Sequence, residues 1–119
     1  LILGYTLVNK FWVVLLFTLK LLLMTFQKKF EIMQEGGLRL AKILKRLTDE
    51  VKPGVKGEDL EKLTLELIKE AEAEPAFKNY KPPFATKPYP YALCLSLNEV
   101  IVHGYPANVV IKSGDVVKL

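Results

Sequence analysis

The chain has one cysteine, Cys94, and one histidine, His103, among its 119 residues. A single thiol excludes an internal disulfide and fits a reducing compartment. One Cys and one His also cannot supply the three or four ligands of a metal site built from those residue types alone. The sequence lacks any block of Lys or Arg interleaved with aromatics. Its net charge of +4 comes from scattered side chains, which read as solvated surface, so no nucleic-acid partner is expected. No small-residue cleavage site follows the apolar run at the start, which argues against a signal peptide. The first residue is Leu and the last stretch, "GDVVKL", reads as a strand cut in mid-course. Both ends are therefore expected to be fragment ends.

Residues 1–23 form a hydrophobic segment interrupted by Lys10 and Lys20. A membrane span needs about 20 apolar residues. Each central Lys costs roughly 2.5–3.5 kcal/mol and each large apolar residue returns roughly 0.3–0.6, so the balance is close to neutral. Three readings stay open: upstream sequence ahead of a start at Met24, a membrane anchor, or a buried helix. Residues 24–119 are expected to form a single modest domain.

Within that domain, residues 27–51 are helical in pattern, with Phe30, Met33, Gly37, Leu40, Leu44, Leu47 and Val51 on one apolar stripe. Gly36 and Gly37 suggest either close approach by another backbone or a break between two helices. Pro53-Gly54 ends the helix. A second helix is predicted over 57–72, with Gly57 as N-cap and Leu60, Leu63, Leu67 and Ala71 on its buried face. Its carboxylates, Glu58, Glu61, Glu66, Glu70 and Glu72, and the following Glu74, mostly alternate with lysines and read as solvated surface.

Residues 75–92, "PAFKNYKPPFATKPYPYA", hold five of the seven prolines and five aromatics. That proline density excludes a regular element, and aromatic-rich loops in compact domains often line pockets. Residues 93–97 and 100–103 then read as a β-hairpin turning at Asn98-Glu99. In that register Leu97 opposes Val100, Ser96 opposes Ile101 and Cys94 opposes His103. One face is apolar (Leu93, Leu95, Leu97, Val100, Val102), and Cys94 and His103 lie side by side on the other. Chemistry leaves three roles open for the pair: a satisfied half-buried His beside a small apolar Cys, a thiol nucleophile with its base, or the floor of a binding pocket.

The stretches "KKFEIMQEGGLRLAKIL" (28–44), "VKPGV" (51–55), "EDLEKLTLELI" (58–68), "FKNY" (77–80), "YPYALCLSLNEVIVHGYP" (89–106) and "KSGDVVKL" (112–119) together resemble the type I methionine aminopeptidases. The most specific part is "S-x-NEV-x-VHG-x-P", and the resemblance runs from about residue 26 to the end. It implies an α/β fold class, the N-terminal half of a pita-bread (creatinase/aminopeptidase-like) fold, here as two amphipathic helices, a β-hairpin and a truncated strand.

By the same resemblance the family removes initiator Met from nascent polypeptide N-termini whose second residue is small. It does so with two divalent metal ions held by two Asp, one His and two Glu. His103 matches the substrate-contacting histidine, and Phe77, Tyr80, Tyr89 and Cys94 match positions lining the pocket for the Met side chain. The "KPPFATKP" spacer between Tyr80 and Tyr89 is longer than in most members. All five metal ligands are expected beyond Leu119, so this chain alone is expected to bind no metal and to be inactive; Asp115 is not one of them. The implied location is the cytoplasm, with the ribosome as a further candidate partner and a membrane reachable only through residues 1–23. The alternatives are a non-catalytic binding protein of the same fold and a membrane-anchored interaction module.

Overall fold

A computed structural model of the chain describes residues 3–119, with the side chains of 3–14, 21 and 24 outside the description. Residues 1 and 2 and the side chains of 3–14, 21 and 24, on which the readings of 1–23 as upstream sequence or anchor and of Met24 as the start largely rest, lie outside the described residues. Where side chains are described, Leu16, Phe17 and Leu22 are exposed, which corrects the buried-helix reading there. Among the described residues no helix is long and apolar enough to cross a membrane. The chain divides into two compact units, Leu1–Leu38 and Arg39–Leu119.

Helix α1 spans Leu3–Glu50. Its composition favours the length: Leu and Lys, both good helix formers, are its commonest residues, and no proline occurs before Pro53. Thr18 and Thr25 donate their hydroxyls to the carbonyls of Leu15 and Leu22, the local bonding that threonine makes inside a helix. The helix is unbroken at Gly36 and Gly37, and neither glycine has a neighbour within 4 Å of where a Cβ would sit. The expected break or close backbone approach is therefore absent there. The expected apolar stripe is also only partly buried: Phe30, Met33 and Leu40 are exposed and Leu47 is buried, with Ile43, which lies off that stripe, buried beside it. In the first unit the described residues form helix alone, and a lone helix offers its apolar stripe no second layer.

The second unit is organised around Ile43 and Leu47 of α1, Leu60 and Leu67 of helix α2 (Gly57–Glu70), and Leu93, Leu95 and Ile111 from the following segments. Between the helices, Pro53-Gly54 turns the chain, and Gly54 N–H donates to Ile111 O at 2.8 Å. Gly57 is the first residue of α2 and Lys56 sits at the N-cap, without a capping side chain. This corrects the expected N-cap. A Cβ at Gly57 would run into the carbonyl oxygen of Pro106, so packing and not capping requires the glycine. Helix α2 stops two residues earlier than expected because Glu72 turns left-handed, at φ 51°. Ala73 N–H then closes on Ile68 O at 3.1 Å, a Schellman-type end with Glu where Gly is usual.

Strand β1 (Ser96–Leu97) pairs antiparallel with β2 (Val117–Lys118), Ser96 opposite Lys118 and Leu97 opposite Val117. The expected hairpin partner was 100–103, and this is corrected. The turn itself forms, with Val100 N–H donating to Leu97 O at 2.9 Å and Asn98 at φ 50°. Glu99 is not among the residues with positive φ, so the turn is not the type I′ expected for two central left-handed residues. The chain splays after it, leaving Ile101 79% and Val102 64% exposed. It returns at Gly104, whose carbonyl accepts Leu95 N–H at 2.9 Å. The proposed register put Val102 opposite Leu95, so the contact is offset by two residues. Asn98 and Asp115 lock the β1–β2 pairing: Asn98 Nδ2 donates to Asp115 Oδ1 at 3.0 Å, and Val116 N–H to Asn98 Oδ1 at 3.0 Å.

Candidate functional site

The prolines of 75–92 prevent a regular ladder, yet the loop is closed at its base. Asn79 N–H donates to Tyr89 O at 2.6 Å and Tyr89 N–H to Tyr80 O at 2.9 Å. The long spacer 81–88 is therefore an excursion whose ends are tied, with Phe84 on it 90% exposed. Tyr80 and Tyr89 become neighbours through their backbones, whatever the spacer length.

Tyr89 lies at the centre of an aromatic cluster. Its ring meets Phe77 edge-on at 5.5 Å, Tyr105 at 5.2 Å and Tyr91 at 6.1 Å, and Tyr91 lies 5.6 Å from Tyr105. Its hydroxyl donates in a three-centre arrangement to Leu93 O at 3.1 Å and Gly104 O at 3.0 Å. Burial, followed by the adjoining Cys94, holds the phenol well above its ordinary pKa. Tyr89 thus stays protonated and a donor at any physiological pH.

Those two carbonyls belong to the residues next to Cys94 and His103. The sulfur of Cys94 sits 3.9 Å from His103 Nδ1, although the regular hairpin expected to bring them together does not form. Two features achieve it instead. His103 takes φ 56°, which bends the chain back toward β1. Gly104 then packs so tightly on Leu95 and Ser96 that a Cβ would clash with backbone, and Ser96 Oγ accepts Gly104 N–H at 3.1 Å. Cys94 is half-buried and His103 exposed.

Beneath this surface lies Glu61 of α2, buried. Its carboxylate accepts Ala92 N–H at 2.9 and 3.1 Å and Leu93 N–H at 2.9 Å, and Lys78 Nζ stands 3.5 Å away. The expectation that this carboxylate is solvated surface is corrected. Its spacing carried the signal, since Glu61 falls between Leu60 and Thr64 on the face that α2 buries. Glu58 is likewise engaged, accepting Asn108 N–H at 2.6 Å. Tyr91, Tyr105 and Lys78 also join the site without having been singled out. Tyr91 lies in the aromatic-rich stretch 75–92, where composition could have indicated it, whereas Tyr105 lies beyond that stretch.

Among the described residues no three His, Cys, Asp or Glu side chains converge as metal ligands would. The side chains present do not fit a divalent pair, and none of the chemistry assigned to them below passes through one.

The model of metallopeptidase family M24 matches residues 31–119. A methionine aminopeptidase of Aquifex aeolicus is 42% identical over 94 residues, which cover 78% of this chain and 36% of that protein. The methionine aminopeptidase of Helicobacter pylori is 36% identical over 92 residues, 77% of this chain and 34% of the relative. Among solved structures, a methionine aminopeptidase from Thermotoga maritima superposes with a TM-score of 0.62 at 38% identity, covering 70% of this chain and 31% of that one. A streptococcal methionine aminopeptidase superposes with a TM-score of 0.60 at 35% identity. The chain thus spans about a third of the length of the relatives it matches.

Proposed function

The chain belongs to metallopeptidase family M24, and from that premise we propose that it forms the substrate-facing, N-terminal portion of a methionine aminopeptidase. In this reading residues 24–119 are the part of the domain present and 1–23 lie outside it. The observation that carries the reading is the convergence of Cys94 and His103 beside the Phe77–Tyr89 edge-on pair. A methionine side chain is unbranched and ends in a polarisable thioether, which packs favourably against aromatic edges. Phe77, Tyr89 and Cys94 offer such a wall, and Tyr80 is tied to it through the Tyr89 backbone.

His103 has a different role. Its ring is exposed, and Gly104, the residue after it, is held through both its N–H and its carbonyl, so the histidine can present one ring nitrogen to the amide of a bound peptide. Orientation of the scissile bond is the work assigned to it. The family's metal supplies water activation when bound. The cognate substrates are polypeptide N-termini with Met first and a small residue second, met in the cytoplasm.

The test is made on the protein from the complete reading frame, supplied in turn with Mn²⁺, Co²⁺, Fe²⁺ and Zn²⁺. Free methionine should be released from Met-Ala-Ser and not from Met-Leu-Ser. A folded protein that releases none with any of the four ions refutes the reading.

A further inference from the structure

Among the described residues Glu61 is the buried charged side chain, and nothing in the proposed chemistry uses it. The structure assigns Glu61, with Lys78, the role of positioning the two walls of the methionine pocket relative to each other; the assignment rests on the aminopeptidase reading above. A carboxylate removed from water is costly unless every oxygen is engaged, and an apolar residue would fill the space in α2 without that cost. Here both oxygens are used in a directed way. They hold the N–H groups of Ala92 and Leu93, the two residues that lead into Cys94. The same carboxylate faces the ammonium of Lys78, which follows Phe77 directly. The Cys94 wall and the Phe77 wall are thus referred to one rigid point on a helix, and the Phe77–Tyr89 ring pair spans the distance that this point fixes.

This arrangement predicts a specificity effect and not merely a stability effect. Lys78→Met keeps the aliphatic stem and the backbone clamp while removing the charge that fixes the Phe77 side. Glu61→Gln keeps shape and one acceptor oxygen but turns an N–H₂ toward a backbone donor. Both variants are assayed in the complete protein with Met-Ala-Ser and with its norleucine analogue, which matches the length of methionine and lacks the sulfur. Lys78→Met should raise KM for Met-Ala-Ser about fivefold to tenfold with kcat within about twofold. It should lower the preference for Met over norleucine by a similar factor, near the lower end of what apolar pockets discriminate.

Glu61→Gln should move both quantities further in the same direction. A structural role would instead lower activity equally for both peptides through loss of active enzyme. Folded Lys78→Met with unchanged KM and unchanged Met preference overturns the assignment, even if Glu61→Gln fails to fold. A parent protein that releases no methionine overturns the underlying reading and this role with it.

Discussion

The hydroxyl of Tyr89 donates to the carbonyl of Gly104 at 3.0 Å while also reaching Leu93 O at 3.1 Å. One phenol therefore bridges the segment that carries Cys94 and the segment that carries His103. Tyr89→Phe removes the bridge and retains the ring contacts with Phe77 and Tyr105. Gly104 O keeps Leu95 N–H as a donor, so one carbonyl is left under-satisfied, not two. The expected loss is about 1 kcal/mol, typical for a hydrogen bond removed from one side, read as a lowered urea midpoint. A midpoint equal to the parent's would show that the bridge contributes nothing.

Two glycines should respond in opposite directions to alanine. At Gly57 the obstruction is the carbonyl of Pro106, which is backbone and cannot swing aside. Gly57→Ala is expected to cost about 1–3 kcal/mol through overpacking. At Gly36, inside α1, the space is open and alanine has the better helix propensity, so Gly36→Ala should gain roughly 0.5–1 kcal/mol. Helix content by circular dichroism and urea midpoints of both variants check the pair. A neutral Gly57→Ala would mean that α2 and Pro106 are less closely packed than the structure shows.

The contrast between these glycines also shows what the sequence could reveal. Helix α2 was legible because Leu60 and Leu67 recur at helical spacing, and the turn at Asn98 because asparagine tolerates a left-handed backbone. The proximity of Cys94 and His103 was anticipated from a register that does not form. Its actual causes are a positive φ at His103 and the close packing of Gly104 on Leu95, neither of which leaves a periodic trace. The β1–β2 pairing was not legible for a related reason: it joins residues about twenty positions apart through the Asn98–Asp115 exchange, while the local pattern favoured a hairpin. The alternation of glutamates with lysines along α2 points to a solvated face and hides Glu61, although its position on the helix is that of the buried Leu60 and Thr64.

Acid should weaken the fold through Glu58 and Asp115. The backbone N–H of Asn108 holds Glu58 below its ordinary value of 4.5. The Asn98 amide, with the Lys112 N–H, holds Asp115 below 3.8. Both groups bind protons less readily folded than unfolded. Their contribution is therefore complete above about pH 5 and drains away as pH falls through their folded values. Urea midpoints measured from pH 7 down to pH 3 should decline, and Glu58→Gln should flatten that decline while retaining an acceptor for Asn108. An identical pH slope in the parent and in Glu58→Gln would remove Glu58 from the account.

The 3.9 Å separation of Cys94 Sγ and His103 Nδ1 permits two chemical readings, and paired substitutions in the complete protein separate them. If the thiol were a nucleophile activated by the imidazole, Cys94→Ala and His103→Ala would each abolish turnover, since such a pair acts as a unit. If Cys94 is a pocket wall and His103 orients the peptide, the two effects divide. Cys94→Ala should then change KM by a few fold and leave kcat within about a factor of two, the loss of one apolar contact being mainly a binding effect. His103→Ala should lower kcat by about 10²-fold, the scale for removing one directed polar contact to the reacting group. Metal content should be unaltered in both variants, because in this reading both side chains face the substrate and neither is a metal ligand. Loss of bound metal in His103→Ala would instead place the imidazole among the ligands and refute its assignment to the substrate.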